Sequence, residues 1–134
     1  MFGAFDISTS ALGAQRIRLD TIAANIANVD TVMGPDGKAA PFRRLIPMFQ
    51  AQRTADGGAG VSVKSIEQDQ SDFHMRLEPG NPAADPATGL VAYPNIDLST
   101  EYVNALETTR AYEANITAIE TTKSMMNSTL RLLA

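Results

Sequence analysis

Cysteine and tryptophan are absent from this chain, and histidine occurs once. The lack of cysteine excludes disulfides, thiolate metal sites and sulfur nucleophiles. Aromatic residues make up 6% of the sequence against 44% hydrophobic residues in all. The apolar material is therefore mostly alanine and aliphatic, which suits helix packing better than a thick aromatic core. Basic charge is short as well: 11 Lys and Arg face 15 Asp and Glu, a net charge of −4. Binding to nucleic acid needs a basic patch and is not expected. No stretch comes near the roughly 18 consecutive apolar residues of a membrane span. The opening Met1-Phe2-Gly3-Ala4-Phe5-Asp6 has neither a basic run nor a long apolar segment, so a cleaved secretory signal is not expected.

Proline is confined to the middle. All seven prolines lie between Pro35 and Pro94, which leaves both ends free to be helical. Residues 97–134 hold no proline and no glycine. Their apolar positions step by seven: Leu98, Ala105, Tyr112, Ile119, Met126, Leu133. A second row, Tyr102, Thr109, Ile116, Lys123 and Leu130, lies four residues along and on the same helical face. Such a helix is roughly 50 Å long and needs a partner helix along most of its length. Residues 1–30 repeat the pattern. Asp6 or Ser8 is the expected N-cap. Phe5, Leu12, Leu19 and Ile26 form one row, and Gln15, Ile22 and Val29 the other. Gly13 is a weak point, and Asn28 is expected to end the helix in a left-handed conformation.

The segment 31–96 changes character. Gly34-Pro35-Asp36-Gly37 reads as a turn, because proline presets one dihedral and glycine supplies positive φ. Residues 42–50 make a poor strand, broken by Arg43, Arg44 and Pro47. Asp56-Gly57-Gly58-Ala59-Gly60 reads as a loop tip. Val61 and Val63, then Phe73, Met75 and Leu77, alternate with polar residues as half-buried strands do. Residues 78–95 hold four prolines and read as extended and irregular. The expected fold is mainly α: long N- and C-terminal helices (1–30 and 97–134) packing as a coiled-coil-like pair or tube wall, with a small irregular β-rich insert (31–96) between them. Alone, the insert is too small for much of a core.

No catalytic constellation emerges. His74 falls on the polar phase of its strand, without the partners a general base requires. Asp69, Asp72, Glu78 and Asp85 follow no ligand-loop spacing and read as solvated surface charge. The glycine-rich tip lacks the Lys-Ser/Thr pair and helix start of a phosphate loop. No metal, cofactor or enzymatic activity is expected. Glu107 with Arg110, and Glu120 with Lys123, are spaced as weak helix-surface pairs. Asn25, Asn28, Asn104, Asn115 and Asn127 can either hydrogen-bond across helices, fixing register, or simply face water. The stripes themselves are the candidate functional surface. Leu12, Leu19, Ile22, Ile26, Leu106, Tyr112, Ile116, Ile119, Met126 and Leu130 are expected to carry the packing. The stripes could serve a closed two-helix binding module, or a contact that does not close on itself and builds a helical tube.

Three stretches favour the tube. Residues 10–31 end in Asn25-Ile26-Ala27-Asn28 and then Thr31. They resemble the N-terminal signature of the bacterial flagellar rod and hook axial proteins. Glu78-Pro79-Gly80-Asn81-Pro82-Ala83-Ala84-Asp85 and residues 89–96 resemble a segment typical of the proximal rod within that family; Leu90 stands where Tyr or Phe is common. Residues 103–115, then Lys123-Ser124-Met125-Met126 and residues 129–132, are similar to its C-terminal helix. The resemblance implies a structural subunit of the proximal rod of the flagellar basal body. It implies export through the flagellar type III apparatus without signal cleavage, and assembly in the periplasm. The partners implied are other rod proteins and components of the inner-membrane ring and export gate. The product is a hollow drive shaft that carries torque and passes later subunits.

Overall fold

The computed structural model describes residues 2–53 and 58–133. Two long helices bracket four strands: α1 (Phe2–Ala27), β1 (Leu45–Arg53), β2 (Ala59–Gln68), β3 (His74–Leu77), β4 (Leu90–Tyr93) and α2 (Leu98–Leu133). The helices span 26 and 36 residues, or roughly 39 and 54 Å at 1.5 Å per residue. They pack on each other antiparallel, since Asn25 meets Glu101 and Arg18 meets Glu107. The expected architecture, long terminal helices around a small β-rich insert, is what the chain adopts.

Several local expectations change. First, α1 is already helical at Phe2, so Asp6 and Ser8 lie inside it rather than capping it. The hydroxyls of Thr9 and Ser10 instead donate back to the carbonyls of Phe5 and Ile7. Second, Asn28 does follow the last helical residue, but no described residue other than glycine has positive φ. Asn28 closes α1 with its side chain: Nδ2 donates to the Ala24 carbonyl, and Oδ1 accepts from the Thr31 hydroxyl. Third, 45–53 is a full strand despite Pro47, paired antiparallel with β2. A two-stranded sheet has only edge strands, where a missing N–H can point outward without breaking the ladder. The register shifts between Met48 and Phe49, close to that proline.

The β1–β2 arm lies along α1. Near one end of the arm the Val61 N–H donates to Ser10 Oγ at 3.0 Å, and at the other Asn25 holds Leu45. Helix and strand come so near at Gly60 that a Cβ there would stand 2.9 Å from Ser10 Oγ. The expected loop tip at 56–60 lies in part outside the described residues; Ala59 and Gly60 belong to β2. The turn at 34–37 forms as its chemistry dictates. The Gly34 N–H donates to the Lys38 carbonyl, and Gly37 takes φ +73°.

The short β3–β4 pair adjoins the loop that leads into α2. Val91, Pro94, Ile96 and Ala83 are buried in this part of the chain. β3 is not half-buried as its alternation suggested. Phe73 is partly covered, but Met75 and Leu77 are exposed. A four-residue strand in a two-stranded sheet has no second layer to bury one face against.

Candidate assembly interface

The interior of the helix pair is mixed, with a polar row beside an apolar one. On α2 the covered positions run Glu101, Asn104, Ala105, Thr108, Ala111, Tyr112, Asn115, Ile119, Thr122, Met126. The row Ala105, Tyr112, Ile119, Met126 is the first row of the sequence pattern. Its neighbour is not the expected Tyr102, Thr109, Ile116, Lys123, Leu130 row, which is exposed, but Glu101, Thr108, Asn115, Thr122. The apolar residues of the expected row point away from α1. From α1, Ile22 is buried, and Leu12, Gln15, Leu19 and Ile26 are half-buried, as is Val29 in the turn just beyond it. The ten candidate packing residues therefore divide. Ile22, and less completely Leu12, Leu19, Ile26, Tyr112, Ile119 and Met126, are covered within the chain. Leu106, Ile116 and Leu130 are left outside, at 62%, 38% and 62% exposure.

The outer face of α2 adds Tyr102 and Val103 to these. Val103, Leu106, Glu107 and Arg110 line a groove of about 270 Å³. Towards the far end of the pair, Phe5, Ile119, Lys123 and Met126 line an apolar groove of about 510 Å³. Among the described residues, only Ala14, Ile22, Ala83, Val91 and Ile96 are buried hydrophobics. Contiguous apolar exterior of this kind is what marks interaction sites in general.

At the other end of the pair sits a buried polar junction that the sequence pattern did not reveal. The Glu101 side chain is fully buried. Its carboxylate accepts from Arg44 Nε at 2.7 Å and from Asn25 Nδ2 at 3.2 Å. Asn25 also reads the backbone of Leu45 in both directions, donating to its carbonyl at 2.9 Å and accepting its N–H at 2.8 Å. Asn95 accepts the Arg44 N–H at 3.0 Å and donates to Ser71 Oγ at 2.7 Å. Arg44 reaches Asp69 at 3.6 Å. The N–H and hydroxyl of Ser71, and more weakly Arg44, hold the Asp69 carboxyl below its ordinary value. Of the five helical asparagines, Asn25 crosses between helices, whereas Asn28 and Asn115 bond to their own helix. Glu107 pairs across to Arg18 at 3.5 Å rather than with Arg110. That pair is largely exposed and contributes little.

A second polar cluster stiffens the 78–93 loop. Asn81 Nδ2 and the Tyr93 hydroxyl both donate to Glu78, and Arg76 stacks 4.3 Å over the Tyr93 ring. These bonds, Asn81 first and Tyr93 second, hold Glu78 below its ordinary value; the same contact with Glu78 raises Tyr93. Among the described residues no three metal-ligating side chains converge, and no helix is long and apolar enough to cross a membrane.

Comparison with known proteins matches the sequence of this chain to a family. Residues 5–33, covering most of α1 and its cap, match the family described as flagella basal body rod protein. Residues 87–132, covering β4 and α2, match the C-terminal family of flagellar basal body rod FlgEFG proteins. The flagellar basal-body rod protein FlgC of Salmonella typhimurium is 47% identical over 96% of this chain and 94% of its own. That of Bacillus subtilis is 36% identical over 98% and 97%, and that of Aquifex aeolicus 38% over 96% and 94%. Identity at this level along essentially the whole length leaves one assignment: the chain belongs to the FlgC family of flagellar basal-body rod proteins.

Proposed function

We propose that this chain is a wall element of the proximal rod, held to its neighbours by helix faces and performing no chemistry of its own. Membership of the rod-protein family makes it a structural subunit of the flagellar basal body. The finer picture is supported by one observation above all. α2 turns its polar row inward and leaves Tyr102, Leu106, Ile116 and Leu130 outside, where only another molecule can bury them. Contacts of this kind that do not close on themselves generate a helical tube. The ten stripe residues then do two jobs. Ile22, Leu12, Leu19, Ile26, Tyr112, Ile119 and Met126 set the hairpin. Leu106, Ile116 and Leu130 bind other subunits.

In this picture the chain has three working parts: 1–30 and 97–134 for axial assembly, and 31–96 as a spacer or outer contact. The subunit reaches the periplasm through the flagellar export apparatus without signal cleavage. It sits between the inner-membrane ring and the distal rod, beside other rod proteins and the export gate. The hollow shaft it helps to build transmits torque and passes later subunits. A lone two-helix binding module would pair its helices in the same way, but the outer apolar row gives it no advantage.

Electron microscopy of basal bodies from cells lacking this chain tests the proposal. Rings without an emergent rod are the expected result. A complete rod and hook in its absence would overturn it.

A further inference from the structure

We propose that Asn25, Arg44 and Glu101 form a register latch: α1 and α2 close in a single alignment only when Leu45 is held on Asn25 and Arg44 on Glu101. The reason lies in what α2 buries. Tyr102, Val103 and Leu106 were available to face α1, yet the row covered beside Ala105, Tyr112, Ile119 and Met126 is Glu101, Thr108, Asn115 and Thr122. Aliphatic rows at a seven-residue step fit together at several alignments one heptad apart, and a single buried polar group is the usual way to choose among them. Here the choice falls to Glu101. A slip of one heptad would put Thr108 in its place. The Arg44 guanidinium and the Asn25 amide would lose their carboxylate, and the Glu101 charge its partner.

Arg44 does not belong to either helix. It lies 57 residues from Glu101 in sequence, and Asn25 lies 76 from Glu101. Arg44 is held from both sides. The Asn95 Oδ1 accepts its N–H, and Asn25 pins the next residue, Leu45, through both backbone groups. Four separate segments thus meet around Arg44, whose guanidinium joins the Asn25 amide on the Glu101 carboxylate: the end of α1, the start of β1, the 69–71 bend and the approach to α2. The start of the insert is the key that lets the two helices align. Removing one partner of a buried ion pair strands a charge, whereas replacing both by apolar residues of similar size often leaves stability intact. The pair's stability and its control of alignment can therefore be separated by experiment.

The chain has no cysteine, so Arg16→Cys and Thr109→Cys, both at exposed positions, allow spin labels on facing parts of α1 and α2. The parent should give one narrow label-to-label distance. Arg44→Met should broaden it and lower the midpoint of thermal unfolding by about 10 °C. Arg44→Met with Glu101→Met should recover the midpoint to within a few degrees. Its distance should stay broad, with a population displaced by about 10 Å, one heptad of rise. A broad distance in the parent, or a single narrow one in either variant, overturns the latch. Failure of the double variant to recover the midpoint also overturns it, because Arg44 would then act through Asp69 rather than Glu101.

Discussion

Gly89 holds φ +67°, and a Cβ there would stand 3.2 Å from the Pro79 ring. The left-handed backbone and the crowding both oppose a side chain. Gly89→Ala is expected to cost about 1–2 kcal/mol, read as a lower midpoint in denaturant. The carboxylates give a second test at this scale. Glu78, Asp69 and Asp97 are each held below their ordinary values, by Asn81 and Tyr93, by Ser71, and by the Ser99 N–H at the start of α2. A carboxyl that binds its proton more weakly when folded favours the folded state once it is ionised. The stabilisation is complete above the unfolded values near 4 and disappears as pH falls through the lower folded ones. Denaturant melts should therefore give flat stability from about pH 5 to 7 and a steady loss below about pH 4. Glu78→Gln should blunt that loss. Tyr93 works in the opposite direction: its raised value helps below about pH 10 and is lost as the hydroxyl ionises.

At the scale of elements, the outer row of α2 and the inner one should respond differently to change. Leu106→Glu and Ile116→Glu alter exposed positions, where substitutions usually shift stability by less than about 0.5 kcal/mol. The isolated protein should melt as before, while cells carrying the pair should assemble few rods and swim poorly. Normal motility with both changes would remove this row from the assembly surface. The elements also show how far the sequence could be read. Both helices, the 34–37 turn and the outline of the insert follow from proline placement and the seven-residue step. The second pairing row of α2 does not. Hydrophobicity selects Tyr102, Ile116 and Leu130, while the chain itself uses Glu101, Thr108, Asn115 and Thr122. The pattern reports where apolar surface is, and on the proposed reading that surface belongs to neighbours. Pro47 misled for a related reason. It counts against a central strand, and the insert has only edge strands. Arg44 and Asn95 carry no local signal at all, because their roles depend on partners 57 and 51 residues away.

For the molecule as a whole, the accessible surface is 9019 Å² for 14.3 kDa, roughly a third more than the ~6,800 Å² of a compact monomer of that mass. Much of the extra area lies on long helices with half-covered apolar rows. Away from the polar junction, little holds the pair together except Ala14, half-buried aliphatics and the rim of the Phe5 groove. The isolated subunit is therefore expected to fray from the end that holds Phe5, Ile119 and Met126. Far-UV circular dichroism should report less helix than the 26 and 36 residues of α1 and α2, and the helical signal should rise on assembly. A fully helical, cooperatively melting monomer would contradict this.

Turning the polar row inward has one more consequence. It writes two messages on one helix, interleaved a residue apart. Glu101 and Thr108 are read by the chain itself and specify its shape; on the proposed reading, Tyr102 and Leu106 are read by other molecules and specify its company. Because the readers differ, either message can be rewritten while the other stands. A lineage could exchange its outer lettering to suit a new neighbour without relearning how to fold, and one hairpin design could in this way supply distinct bricks for successive courses of the same shaft.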